Sequence, residues 1–320
     1  MSTDSTPKVA VMGAGAVGCY FGAMLARAGA DVTLIGRAPL VEAVTRNGLM
    51  LETLHFKKSI ALSASADPAA VNGARWVLFC VKSTDTEAAA RAIAPHLSAD
   101  AVVLSLQNGV DNFERMRLHI DRRIVPAVVY VAAAIPAPGG VRHSGRGDLI
   151  IGPLEHPTND NDGRAELDDI AAFFATAGIP VQISDNIEGE LWAKLVSNCA
   201  YNAVSALTRI NYGRLLATPY ARTIMRDAVE EIQKVAAAKG VRIAGENLLE
   251  SVYRLADAMP EATSSTAQDI ARGKRTEIDH LNGTIARLGD RLGIPTPVNR
   301  TLHALVKLLE ESAVPAEPRR

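Results

Sequence analysis

In the first half of the chain, short apolar runs alternate with longer segments in which apolar residues recur at helical spacing. Lys8-Val-Ala-Val-Met12, Asp31-Val-Thr-Leu-Ile35, Trp76-Val-Leu-Phe-Cys-Val81, Ala101 to Leu106 and Ile124 to Val131 read as strands. Between them, Ala16 to Ala28 (closed by Gly29), Leu40 to Arg46, Thr86 to Ala94 and Asp111 to His119 read as helices. Extended pieces are expected near Leu49 to Thr53 and Ser59 to Leu62. Apolar strands alternating with helices predict a mostly parallel sheet covered on both faces. The turn Pro136-Ala-Pro-Gly-Gly140 predicts an antiparallel hairpin ending at Asp148-Leu-Ile-Ile-Gly152, and the polar stretch His156 to Gly163 is expected as a surface loop. Beyond Ile187 helix follows helix, with Arg222 to Lys239 and Thr301 to Glu311 amphipathic and Val314 to Arg320 expected to fray.

The first strand turns into its helix through Gly13-Ala-Gly15-Ala-Val-Gly18. In a strand-turn-helix unit the first glycine permits the turn, the second lets a pyrophosphate approach the backbone, and the third packs helix on strand. Gly13, Gly15, Ala16, Val17 and Gly18 are therefore the expected dinucleotide cradle. An enzyme selecting NAD usually places an acid at the end of the next strand, whereas this chain places Arg37 there, which suits a 2′-phosphate and so NADPH. The predicted architecture is α/β: an N-terminal doubly wound, Rossmann-type NADP-binding domain over residues 1–186, and an all-helical substrate domain over residues 187–320.

A net charge of −1 over 320 residues gives no field for nucleic acid, and no apolar run is long enough to span a bilayer. A cytoplasmic protein is expected, its helices able to serve a monomer's core or a homodimer face. Cys19, Cys80 and Cys199 form no C-x-x-C pair, so neither a zinc site nor a disulfide framework is expected.

In an open parallel sheet, ligands sit beyond the carboxyl ends of the strands, which singles out Lys82 and Asn108. Lys82 could meet a phosphate or ribose, or be an exposed lysine; Asn108 could hold the nicotinamide ribose or a substrate oxygen, or merely form an Asn-Gly turn. Further on, Lys194, Asn198 and Asn202 recur every four residues, which on a helix lines them along one face over about 12 Å. One ammonium and two carboxamides suit a small polar substrate, the lysine protonating a developing alkoxide. The competing reading pairs Lys194 with Glu190 as an ordinary i,i+4 surface couple.

Together Gly13-x-Gly15-x-x-Gly18, Ile35-Gly-Arg37, Val81-Lys82, Gln107-Asn108-Gly109, Trp192-x-Lys194-x-x-x-Asn198-x-x-x-Asn202, Ser264-Ser265-x-x-Gln268-Asp269 and Thr276-Glu277-Ile-Asp279-x-Leu-Asn282-Gly283 resemble the ketopantoate reductase (2-dehydropantoate 2-reductase) family over nearly the whole chain. The resemblance implies reduction of the C2 ketone of a 2-oxo acid by NADPH, in pantothenate and coenzyme A biosynthesis. It implies Lys194 as general acid and Glu277 at the substrate hydroxyl, beside Lys194 and on the cofactor side. It implies Ser265 at the substrate carboxylate, Asn198 and Asn202 lining the pocket, Asn108 between cofactor and substrate, and Arg37 and Lys82 on the NADPH side. The Lys-x-x-x-Asn pair also resembles the wider 3-hydroxyacid and 6-phosphogluconate dehydrogenases, so an oxidoreductase with another acid substrate stays open, as does a non-catalytic NADPH sensor.

One unbroken helix from Ser265 to Glu277 would hold them about 18 Å apart, too far to share a six-carbon acid. A break is expected between Arg272 and Thr276, with Gly273 as breaker and Thr276 to Asp279 as a new capping box. Ser265-x-x-Gln268 reads as a capping box too, a structural job that competes with substrate contact.

Overall fold

The computed structural model describes residues 7–154 and 160–312. The chain divides into two compact units, Met1–Ile187 and Glu188–Arg320. The first contains β1 (Lys8–Met12), α1 (Ala16–Arg27), β2 (Asp31–Ile35), α2 (Ala38–Asn47), β3 (Leu49–Glu52), β4 (Lys57–Ile60), β5 (Ser63–Ser65), β6 (Trp76–Phe79), α3 (Thr86–Ile93), β7 (Val102–Ser105), α4 (Asn112–Arg117), β8 (Arg123–Ala134), β9 (Gly140–Ile151), α5 (Asp160–Thr176) and β10 (Val181–Ile183). The strands lie in the order β4-β3-β9-β8-β7-β6-β1-β2-β5, with β10 beside β9. From β8 to β5 all neighbours are parallel.

Side chains on this sheet alternate between two apolar layers, as the period of a strand requires. Val9 and Val11 of β1, Trp76 and Leu78 of β6, and Val102 and Leu104 of β7 join one core with α1 and α5. Ala10, Val77, Phe79 and Val103 point the other way, into a core shared with α3 and Met116 of α4. Covering both faces leaves no polar side on the central strands, hence their nearly unbroken apolar sequences. The chain leaves β1 toward β2 on one side and later returns to β6 on the other, so β1 and β6 flank the point where winding reverses.

The hairpin is longer than its sequence suggests. β9 pairs antiparallel with β8 from Arg142 to Ile151, with register shifts at Tyr130/Val131 and Ala132/Ala133. Of the loop expected at His156 to Gly163, the first residues and the whole tail from Val314 lie outside the described residues; from Asp160 the chain is helix α5.

The second unit contains α6 (Ile187–Thr208), α7 (Tyr212–Ala217), α8 (Pro219–Lys239), α9 (Leu248–Ala258), α10 (Ser265–Ala271), α11 (Asn282–Leu292) and α12 (Pro297–Ser312), with no strand among its described residues. Glu231 of α8 accepts hydrogen bonds from the N–H groups of Val298 (2.7 Å) and Asn299 (2.9 Å), so a buried carboxylate caps the start of α12 where the helix dipole favours it. All three cysteines are free; burial pushes the Cys19 thiol up to about 12. Among the described residues no helix is long and apolar enough to cross a membrane.

Candidate functional site

The glycine turn is tight for a visible reason. Gly13 and Ala14 both donate to the Ile35 carbonyl, at 3.1 and 3.0 Å, drawing the turn against the end of β2. Gly13 has φ +100°, and a Cβ on it would lie 2.5 Å from the Val81 nitrogen and 2.7 Å from the Cys80 carbonyl carbon. A Cβ on Gly18 would overlap the Gly13 carbonyl oxygen. At Gly15 nothing lies within 4 Å of that position, and the residue is exposed. Gly15 is the N-cap of α1, with no side-chain cap and no acid in the first turn, so the amides of Ala16, Val17 and Gly18 face an open, electropositive helix end. A pyrophosphate fits this cradle, since the one glycine whose Cβ would project into open space is the one a phosphate must approach.

The other residues expected on the cofactor side share this end of the sheet. Arg37 follows β2 as the exposed N-cap residue of α2. Lys82 follows β6, half-buried at the start of a short 3-10 turn. Asn108 follows β7, and a polar network that sequence reading missed ties its loop to that of Lys82. Ser83 Oγ donates to the Asn108 carbonyl at 2.7 Å, and Asn112 Nδ2 donates to the same oxygen at 2.7 Å. Gln107 Nε2 reaches the Val81 carbonyl (3.1 Å) and Thr86 Oγ1 (2.8 Å), and the Thr86 hydroxyl lies 3.0 Å from Asn112 Oδ1. These groups are buried and mutually satisfied, which fixes both loops. The only signal for them in the sequence is polar residues closing apolar strands.

In the second unit, Lys194, Asn198 and Asn202 all lie on α6, which runs unbroken through them. Trp192, Val196 and Cys199, turned away from this row, are buried, as is Leu195 beside it. Lys194 and Asn198 are half-buried, and Asn202 is buried. Burial raises the Glu190 carboxyl above its ordinary range.

Asn202 meets the predicted serine: its Nδ2 lies 3.5 Å from Ser265 Oγ. The capping job belongs instead to the neighbour, for Ser264 Oγ accepts the Ala267 N–H at 3.0 Å and donates to the Asn202 carbonyl at 3.2 Å. Ser265 is exposed at the first position of α10. The helix stops at Ala271. Gly273, at φ +61°, donates to Ile270, and Lys274 donates to Asp269 at 2.8 Å, a Schellman closure.

Glu277 lies in the short segment beyond this break, between buried Thr276 and Ile278. The expected capping box does not form there. Thr276 Oγ1 accepts from Ile278, two residues on, and Asp279 turns to His303 (2.7 Å) and Lys307 (3.1 Å) of α12. Asn282 Nδ2, close behind, donates to the Cys199 carbonyl of α6 at 3.1 Å. Asn202 with Ser265, and α6 with Asn282, are thus brought together within this unit, while Arg37, Lys82, Asn108 and the glycines gather in the other.

The hydrogen bond from His303, with Lys307 adding to it, holds the Asp279 carboxyl well below the usual carboxylate range despite burial. A depressed folded pKa gives stability that is fully present above the unfolded value of about 3.9 and is lost as pH falls through and below it. Asp279→Asn should therefore lower the melting temperature at pH 7, with the gap to the parent holding down to about pH 4 and narrowing as pH falls further. Parallel melting curves at every pH would contradict this.

Family models described as "Ketopantoate reductase PanE/ApbA" and "Ketopantoate reductase PanE/ApbA C terminal" match residues 9–156 and 186–310. A PanE/ApbA family ketopantoate reductase of known structure from Ralstonia eutropha JMP134 is 54% identical, with a TM-score of 0.89 over 96% of this chain and 99% of that one. The 2-dehydropantoate 2-reductase of Pyrococcus horikoshii is 33% identical over 95% of this chain and 97% of its own. A D-mandelate dehydrogenase solved with NADH and anilino(oxo)acetate is 26% identical, with a TM-score of 0.89 over 96% of this chain and 99% of that one.

Proposed function

The chain belongs to the ketopantoate reductase family of oxidoreductases, and from that membership we propose that it reduces the C2 ketone of ketopantoate to the alcohol of pantoate, with NADPH as cofactor and Lys194 as proton donor. The observation that carries the reading is the unbroken α6 row of Lys194, Asn198 and Asn202, with Asn202 within reach of Ser265.

A nicotinamide dinucleotide, when bound, supplies the hydride. The amides after Gly15 would hold its pyrophosphate, Arg37 would meet the 2′-phosphate, Lys82 would meet a phosphate or ribose, and Asn108 would lie between cofactor and substrate. On the substrate side the Lys194 ammonium steadies the negative charge gathering on the ketone oxygen, then transfers a proton from Nζ to it. Asn198 and Asn202 orient the polar groups of the acid, Ser265 donates to its carboxylate, and Glu277 accepts from its hydroxyl beside Lys194.

Steady-state turnover of ketopantoate with NADPH and with NADH tests substrate and cofactor together. NADPH should be preferred, and Arg37→Ala should raise its KM about tenfold to a hundredfold, the worth of a charge-assisted hydrogen bond, with little effect on NADH. Equal use of both cofactors by the parent would remove Arg37 from its role. The likeness to a D-mandelate dehydrogenase solved with NADH supports a second reading, an NADH-dependent reductase of an aromatic 2-oxo acid. Faster turnover of the 2-oxo acid of mandelate than of ketopantoate would decide for it.

A further inference from the structure

Helix α12 holds the Glu277 segment from three positions on one face. His303 Nε2 lies 2.7 Å from Asp279 Oδ1, and Lys307 Nζ lies 3.1 Å from Asp279 Oδ2. Lys307 also donates to Glu310 Oε2 at 2.8 Å, and Glu310 Oε1 accepts the Thr276 N–H at 2.6 Å. Positions 303, 307 and 310 recur at i, i+4 and i+7, the spacing of a single helical stripe. The Glu310 side chain is 12% exposed and that of Lys307 30%, so the chain of charges is largely shielded from water. Thr276 and Ile278 are fully buried, which leaves Glu277 bracketed by two anchored residues. Gly283 completes the fit: a Cβ there would lie 2.9 to 3.0 Å from the His303 ring, so only glycine lets the imidazole reach Asp279 unhindered.

We propose that Lys307, acting with Glu310, Asp279 and His303, is a positioning residue for Glu277. It fixes the backbone on both sides of that carboxylate, so its effect on turnover passes through Glu277. The proposal rests on the role given to Glu277 above. A charge relay clamped to a packed helix limits the excursions of the turn, and a catalytic group displaced by about 1 Å loses much of its effect.

A double-mutant cycle on the full-length enzyme with NADPH and ketopantoate separates positioning from general stability. Lys307→Met should lower kcat about tenfold, and Lys307→Arg should recover most of the loss. In the Glu277→Gln background, Lys307→Met should cost less than about twofold, because the group it positions is already gone. Equal losses in both backgrounds, or none in the parent, would overturn the proposal. If Lys307→Met fails to fold, Glu310→Gln, which keeps an acceptor for Thr276 but drops the ion pair, should show the same non-additive pattern, and an additive one overturns the proposal equally. Full turnover by Glu277→Gln alone is a different failure: it removes the role of Glu277 itself.

Discussion

Lys194→Ala lowers kcat for the proposed reduction by about two to four orders of magnitude, the usual worth of a positioned proton donor, while NADPH affinity stays within a factor of about two. In barrier terms that is about 3 to 5 kcal/mol. Alanine is the best helix former, so α6 should persist and the loss cannot be charged to a melted scaffold. One observation makes the lysine the expected weak point: it heads the carboxamide row that reaches Ser265. Single-turnover kinetics at saturating NADPH with a fluorescence titration of the cofactor would read both halves of the expectation. Turnover within tenfold of the parent would show that the proton comes from elsewhere.

In the first unit, Gly13→Ala should cost both cofactor binding and stability, whereas Gly15→Ala should cost binding alone. A side chain at Gly13 would be held in a left-handed backbone conformation, which costs about 1 to 3 kcal/mol, and its Cβ would press on the backbone of Cys80 and Val81, which cannot swing aside. Relief requires the end of β6 to shift away from β1, opening both cores at once. Each kcal/mol lowers the melting temperature of a unit this size by about 2 to 4 °C, so a fall of several degrees is expected. The extra methyl at Gly15 meets no protein atom and lies where the pyrophosphate would approach, so the melt should stay near that of the parent while NADPH binding is lost. Calorimetry paired with titration distinguishes the two, and an unchanged melt for Gly13→Ala would mean that the turn tolerates far more than its spacing suggests.

What the sequence makes legible and what it hides divide along the range of the interactions involved. The glycine turn, the two-faced apolar strands and the α6 row depend on neighbours within a few residues, and their periodicity is plain. The division of labour between Ser264 and Ser265 is not, because two identical adjacent residues carry the same capping propensity, and only the approach of α6 decides which caps and which faces out. The Thr276 to Asp279 box was expected on local grounds and is displaced by Glu310, 34 residues away, which takes the amide the box would have used. Strand β9 hides for a related reason. Its stretch Arg142-His-Ser-Gly-Arg-Gly147 alternates poorly because the register slips and Arg146 sits at φ +53°, so the apolar pattern resumes only at Leu149.

The adjacency of those two serines bears on how this segment tolerates changes of length. Deleting or inserting one residue between Thr263 and Gln268 would turn the following helix by about 100°. The hydroxyl that secures the backbone and the one that meets Asn202 would then trade places or both be lost. Homologues that diverge here should do so by replacing side chains while keeping the residue count constant, and loop grafting or linker insertion belongs elsewhere in the helical half.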